Sequence, residues 1–190
     1  MEIHKTPIKD ILLLTPKVFS DNRGFFFESF RENIFSEIGI EHNFVQENIS
    51  KSIKGSVRGL HYQVGEFAQG KLCQVLKGNV LDVAVDIRFG SPTFGKYVSV
   101  ELSDENHNIL WMPPGFAHGF SVLSDDAIFH YRCTKYYNKE HERAIYYADE
   151  DLAIDWKVAN PIVSPKDLEA KRFKDIERDF EYTLTPNPSP

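Results

Sequence analysis

Leu81-Asp82-Val83-Ala84-Val85-Asp86-Ile87 is the stretch that decides the fold class. Its odd positions are aliphatic, with Asp82, Ala84 and Asp86 between them, and a period of two belongs to a strand with one face buried. The same period recurs outward from it. In Tyr97–Leu102, Val98, Val100 and Leu102 oppose Tyr97, Ser99 and Glu101; in Ala127–Cys133, Ala127, Phe129, Tyr131 and Cys133 oppose Ile128, His130 and Arg132. Turn-forming residues punctuate the chain at Asp21-Asn22-Arg23-Gly24, Lys77-Gly78-Asn79, Gly90-Ser91-Pro92 and Pro113-Pro114-Gly115. Helical signals are few. Arg31–Ile38 sets Ile34, Phe35 and Ile38 on one face and stops at Gly39. Ser164-Pro165-Lys166-Asp167 reads as an N-cap with proline at the first helical position and an acid at the third, opening a charged helix expected to run to about Asp179. Many short strands and few helices imply an all-β fold, an antiparallel barrel or jelly roll with a few short peripheral helices. It forms one domain over residues 1–182. The end, 183–190, holds three prolines in eight residues and is expected to be disordered or extended.

The 190 residues carry 28 acidic against 22 basic side chains, a formal charge of −6. That balance speaks against broad nucleic-acid binding, which needs a dense basic face, but leaves room for a local anion site. No apolar run approaches the ~18–20 residues of a membrane span, and the first residues lack the pattern of a signal peptide. Cys73 and Cys133 form no CxxC pair or disulfide framework, so reduced, semi-buried thiols in a cytoplasmic protein are expected.

Three clusters are too polar for a plain β-core. They are Gln46-Glu47-Asn48-Ile49-Ser50 with Arg58-Gly59-Leu60-His61-Tyr62-Gln63; Gln69-Gly70-Lys71-Leu72; and Pro113-Pro114-Gly115-Phe116-Ala117-His118-Gly119-Phe120 followed by Tyr131. Each residue has an ordinary structural reading as well. His61 could be a hydrogen-bonded core or surface histidine, Lys71 a solvated charge, Tyr131 a core aromatic, Arg58 the cap of a turn and Asp167 a capping-box acid. Strict alternation puts Arg58 and His61 on opposite faces, so a shared pocket requires a bulge near Gly59. Jelly rolls that hold a metal commonly use His-x-His, a following Glu and a distant His; here Gln63 stands where the second His would be, and no metal site is expected. A metal-free set of His, Lys, Tyr and Arg suits proton abstraction beside a carbonyl, with a base, an acid on the opposite side and a cation at the developing oxyanion.

The strings Arg58–Gln63, Gln69-Gly70-Lys71, Asp82–Arg88 and Pro113–Phe120, with Asp21–Glu28 before them and Ile154-Asp155-Trp156 after, resemble the dTDP-4-dehydrorhamnose 3,5-epimerase family. The resemblance runs from about Pro7 to Phe173. It implies a cupin-like jelly roll, a homodimer, no metal or organic cofactor, and dTDP-4-dehydro-6-deoxy-glucose as substrate in dTDP-rhamnose biosynthesis. By resemblance, His61 is the general base, Asp167 its orienting carboxylate, Tyr131 the opposing acid and Lys71 the partner of the ketone oxygen. Arg23, Glu28, Gln46, Asn48, Arg58, His118, Glu142 and Lys166 match substrate-binding positions, and Tyr137 the aromatic that stacks on thymine. Arg23, Arg58, Lys71 and Lys166 are then expected in one pocket, where arginines and lysines hold a diphosphate within an acidic protein. An enzyme of the same fold that inverts carbon 3 alone is the alternative reading, and a sugar-nucleotide binding module without catalysis a further one.

Overall fold

The computed structural model describes residues 1–40 and 43–183. The proline-rich end beyond Thr183 lies outside the described residues. Two antiparallel sheets make the body. The first comprises β1 (Glu2–Lys5), β2 (Leu12–Thr15), β5 (Gln46–Ile53), β7 (Lys71–Lys77), β10 (Ile109–Met112) and β12 (Asp126–Cys133), in the order β1-β2-β10-β7-β12-β5. The second comprises β6 (Ser56–Gln63), β8 (Asn79–Asp86), β9 (Tyr97–Ser103), β11 (Phe116–Val122) and β13 (Glu142–Ala144), in the order β13-β6-β11-β8-β9. A short β14 (Ile162–Val163) adds to β6 in parallel. A separate hairpin pairs β3 (Phe19–Asp21) with β4 (Gly24–Phe26). Two short helices, α1 (Glu32–Glu37) and α2 (Pro165–Leu168), lie outside the sheets. The all-β, jelly-roll expectation is met.

Alternation assigns the side chains to three apolar layers. Between the sheets, Cys73, Val75, Leu110, Met112, Ala127 and Phe129 of the first meet Val80, Ala84, Val98, Leu102, Phe116, Phe120 and Val122 of the second. Behind the first sheet, Leu14, Leu72, Ile109 and Trp111 pack with Phe35 of α1 and Ile40. Behind the second, Leu81, Val83, Val85 and Ile87 are covered by Ile145, Leu152 and Trp156, with Phe173, Ile176 and Phe180 packed alongside.

That third layer corrects two expectations. The strand around Leu81–Ile87 is buried on both faces, not one: the C-terminal segment covers its aliphatic odd positions, and the side of Asp82 and Ala84, which alternation assigned to solvent, faces the other sheet. The same segment is not the long helix expected to reach Asp179. Helix α2 ends at Leu168, and Tyr146 N–H then donates to Lys171 O at 2.8 Å while Phe173, Ile176 and Phe180 turn onto the sheet. Packing three apolar side chains onto a flat sheet outweighs the modest propensity of a charged run. Both cysteines are free, and they are fully buried where partial burial was expected.

Candidate active site

Two adjoining cavities open between the sheets. The larger, about 430 Å³, is lined by Ser50, Arg58, His61, Lys71, His118, Tyr131, Lys166 and Asp167 among others. The smaller, about 110 Å³, is lined by Gln46, Asn48, Gln69, Cys133, Tyr137 and Glu142. His61, Lys71 and Tyr131 line both and so stand at their junction.

The bulge demanded by the sequence is present. Strand β11 pairs His118 with His61 but Phe120 with Arg58, so Gly119 alone on β11 faces two residues, Gly59 and Leu60, on β6. The extra residue turns Arg58 and His61 toward the same cavity. Two glycines let the strands approach there. A Cβ on Gly119 would lie 2.7 Å from the Arg58 carbonyl oxygen, and one on Gly59 would lie 2.5 Å from Gly119 Cα; Gly59 also has φ of +133°. Arg58 is not a turn cap: its Nε donates to Ser52 Oγ at 2.9 Å, which aims the guanidinium along the cavity wall.

His61 Nε2 lies 2.6 Å from Asp167 Oδ1. Asp167 is buried, which raises its carboxyl pKa, but the His61 bond and charge, Gly59 N–H and the Ser164 hydroxyl lower it more, leaving it below the ordinary range. An ionised carboxylate only accepts, so Nε2 carries a hydrogen, and in the neutral ring the lone pair lies on Nδ1. Ser164 caps α2 by accepting from Asp167 N–H at 3.2 Å. The cap expected from the sequence is therefore real, but the Asp167 carboxylate serves His61.

Tyr131 projects from β12 beside Phe129, ring centroids 5.9 Å apart, and Lys71 Nζ lies 5.9 Å from the Tyr131 ring centroid. Burial, with Cys133 and Cys73 nearby, pushes the Tyr131 phenol up to about 12, so it is protonated at neutral pH. In the smaller cavity Tyr137 N–H donates to Gln46 Oε1 at 2.7 Å, Gln46 Nε2 to Asn48 Oδ1 at 3.1 Å, and Tyr137 OH to Glu142 Oε2 at 3.0 Å. Lys166 also bonds Glu142 and links the two rims. Burial raises Glu142, but Lys166, Tyr137 and the His61 charge outweigh it and keep the carboxyl low. His118, buried, donates from Nε2 to Asp82 Oδ1 and Oδ2, 3.0 and 3.1 Å away; burial lowers its pKa more than Asp82 raises it, with Lys71 and His61 lowering it further.

Eleven of the thirteen expected site residues line these cavities; Arg23 and Glu28 do not. Arg23 lies at the turn of the β3–β4 hairpin, its side chain 85% exposed and bonded to Asp21 at 2.6 Å, and Glu28 pairs with Arg31 at 3.3 Å. Among the described residues the hairpin is a sheet of its own, and Arg23 lines neither cavity. The pocket thus gathers Arg58, Lys71 and Lys166 but not the fourth expected cation. Sequence reasoning missed two supporting partners, Ser52 behind Arg58 and Asp82 behind His118, and gave Cys133, which lines the smaller cavity, no place in the site. The sequence carried no signal for Asp82, because alternation grouped it with Ala84 and Asp86 on the side opposite the aliphatic positions.

The model of the family described as dTDP-4-dehydrorhamnose 3,5-epimerase matches residues 5–175. A dTDP-4-dehydrorhamnose 3,5-epimerase of Shigella flexneri is 53% identical over 93% of this chain and 98% of its own length. A dTDP-6-deoxy-D-glucose-3,5-epimerase of Legionella pneumophila, solved in complex with dTDP-4-keto-L-rhamnose, superposes with a TM-score of 0.93 at 50% identity, covering 96% of this chain and 98% of that one. The dTDP-4-dehydrorhamnose 3,5-epimerase structure from Elizabethkingia anophelis gives 0.88 at 51% identity, over 92% and 97% of the two chains.

Proposed function

The chain belongs to the dTDP-4-dehydrorhamnose 3,5-epimerase family, and from that premise we propose how its cavity performs the reaction. It is an isomerase that converts dTDP-4-dehydro-6-deoxy-glucose to dTDP-4-dehydro-L-rhamnose by inverting carbons 3 and 5, the neighbours of the carbon-4 ketone. The ketone acidifies both C–H bonds. His61, through Nδ1, takes the proton; Lys71 stabilises the enolate oxygen; Tyr131 returns a proton from the other face. The sugar is neither oxidised nor cut, so base, acid and oxyanion partner suffice, and no cofactor or metal takes part. Arg58 and Lys166 bind the diphosphate, Tyr137 stacks on thymine, and Gln46, Asn48, His118 and Glu142 hold the rest. Binding energy from the nucleotide positions the sugar against the three reacting groups.

One observation carries this reading. The buried Asp167 holds His61 in one tautomer at the junction where Lys71 and Tyr131 face the same space. Identities near one half to 3,5-epimerases favour double inversion over the alternative at carbon 3 alone. Turnover in D₂O tests both points together. Deuterium at carbons 3 and 5 is expected; label at carbon 3 alone would move the chain to the alternative, and no label would remove the proposal.

Arg23 and Glu28 we assign to the site of a second copy, in a homodimer. Phe19, Phe25 and Phe26 on the same hairpin are 55%, 60% and 65% exposed, an apolar face that a partner would cover. Mixing Arg23→Ala chains with His61→Ala chains tests this. If Arg23 acts across the interface, each mixed dimer holds one intact site and activity returns; if it acts within its own chain, the mixture stays inactive. A nucleotide-sugar substrate and free thiols suit the cytoplasm.

A further inference from the structure

The proposed reaction gives Cys73 and Asp82 no role, yet they converge on His118, which lines the larger cavity. The three residues come from β7, β8 and β11 and form no sequence motif. Their donor atoms, Sγ, a carboxylate oxygen and an imidazole nitrogen, all lie within 4.8 Å of one another. His118 Nε2 is 3.0 and 3.1 Å from the Asp82 oxygens and 3.9 Å from Cys73 Sγ. Cys73 and Asp82 are 0% exposed and His118 is 6% exposed. We propose that Cys73, Asp82 and His118 bind a thiophilic divalent cation of the zinc class, and that this binding inhibits the enzyme.

The geometry fits such an ion with small adjustments. Tetrahedral zinc bonds thiolate sulfur at about 2.3 Å and imidazole nitrogen or carboxylate oxygen at about 2.0–2.2 Å, which spaces the donors about 3.3–3.6 Å apart. Nitrogen and oxygen must therefore part by a few tenths of an ångström and nitrogen and sulfur close by about as much; the sulfur–oxygen gap must close by no more than about 1.3 Å. Charge also fits. Thiolate and carboxylate together neutralise a dication in a site that could not hold it unpaired. On binding, Cys73 releases its thiol proton to solvent and His118 shifts its ring hydrogen to Nδ1, a net release of one proton per ion.

Lys71 sets the class of ion. Its positive charge acts on both Cys73 and His118, so it opposes any cation there. Magnesium and calcium prefer oxygen ligands, and one carboxylate does not offset that repulsion. A strong metal–thiolate bond does. Entry is from the cavity, whose wall includes His118. Once bound, the ion fixes His118 and adds charge beside Lys71, where the enolate oxygen must be received. The inhibition rests on the function proposed above; the binding does not.

Cobalt(II) reads the site directly, because a thiolate ligand gives a charge-transfer band in the near ultraviolet and tetrahedral coordination gives intense visible absorption. One equivalent of Co²⁺ is expected to raise both in the parent protein and in Cys133→Ser, and neither in Cys73→Ala or Cys73→Val. Circular dichroism and thermal melts of the Cys73 variants establish that they are folded. Zn²⁺ is expected to inhibit the parent at concentrations at least tenfold below those that inhibit Cys73→Val, whose activity without metal is that of the parent. Absence of the band in the parent, or its persistence in folded Cys73 variants, overturns the site. A band that depends on Cys73 without inhibition by Zn²⁺ overturns the inhibitory role alone, and leaves the epimerase reading intact.

Discussion

The base role proposed for His61 rests on what stands behind it. Asp167 fixes the hydrogen on Nε2, and Ser164 and Gly59 fix Asp167. His61→Ala is therefore expected to lower kcat by about 10²–10⁴-fold while leaving dTDP affinity, measured by calorimetry, within a small factor of the parent. Asp167→Asn removes the acceptor that selects the tautomer and should fall in the same range, with unchanged dTDP binding. Lys71→Ala should cost about 10²–10³-fold, the usual loss of an oxyanion partner. Tyr131 carries a separate expectation. Its phenol is pushed up to about 12 by burial, so it does not ionise across the working range. Tyr131→Phe should reduce the rate at every pH without moving the limbs of the pH–rate profile, and a limb that disappears with the hydroxyl would contradict this assignment.

At the scale of elements, the site depends on a defect in one ladder. The extra residue of β6 turns Arg58 and His61 to one side, and the close crossing of Gly59 and Gly119 makes room for it. Gly119→Ala drives a methyl into the Arg58 carbonyl, and the neighbour is backbone that cannot swing aside. A loss of about 1–3 kcal/mol in urea unfolding is expected, with kcat/KM falling more steeply than stability because both site residues shift. Helix α2 is the second such element. It is a single turn, and Ser164→Ala removes its cap at a cost of about 1 kcal/mol. A merely structural role for Ser164 would lower the melting temperature alone, whereas loss of Asp167 alignment lowers kcat as well. The expected long helix failed at this same element, since its caps are local while the contacts that end it come from a distant sheet.

The whole molecule is held by buried carboxylates that need to be charged. Asp86, at the end of β8, accepts from Arg88 at 2.7 and 2.9 Å, from Ser91 at 2.6 Å and from Thr93 at 2.6 Å. Burial raises its pKa, but these donors bring it below the ordinary 3.8, as His61 does for Asp167; Glu142 lies below 4.5. Groups with lowered folded values stabilise fully above their unfolded pKa and lose that contribution as pH falls through the folded value. Asp179, pushed up by burial, works in the opposite direction but stands alone among these four. The melting temperature should therefore fall steeply below about pH 4, and Asp86→Asn should be less stable at neutrality with a shallower acid decline.

Much of this was legible in one dimension, because strand alternation, turn residues and helix caps are set by near neighbours. The period of two around Leu81–Ile87 determined an all-β fold, and the strings around His61, Lys71 and His118 carried the resemblance to the family. Alternation also foretold that Arg58 and His61 could meet only through a bulge. What surrounds an element is not written in it. Only the tertiary structure decided that both faces of β8 are covered, that Asp167 turns to His61 across the fold, that Arg23 lies away from its own cavity, and that Cys73, Asp82 and His118 converge. These depend on contacts between segments far apart in the chain, whose spacing is set by packing and has no signature in the order of residues.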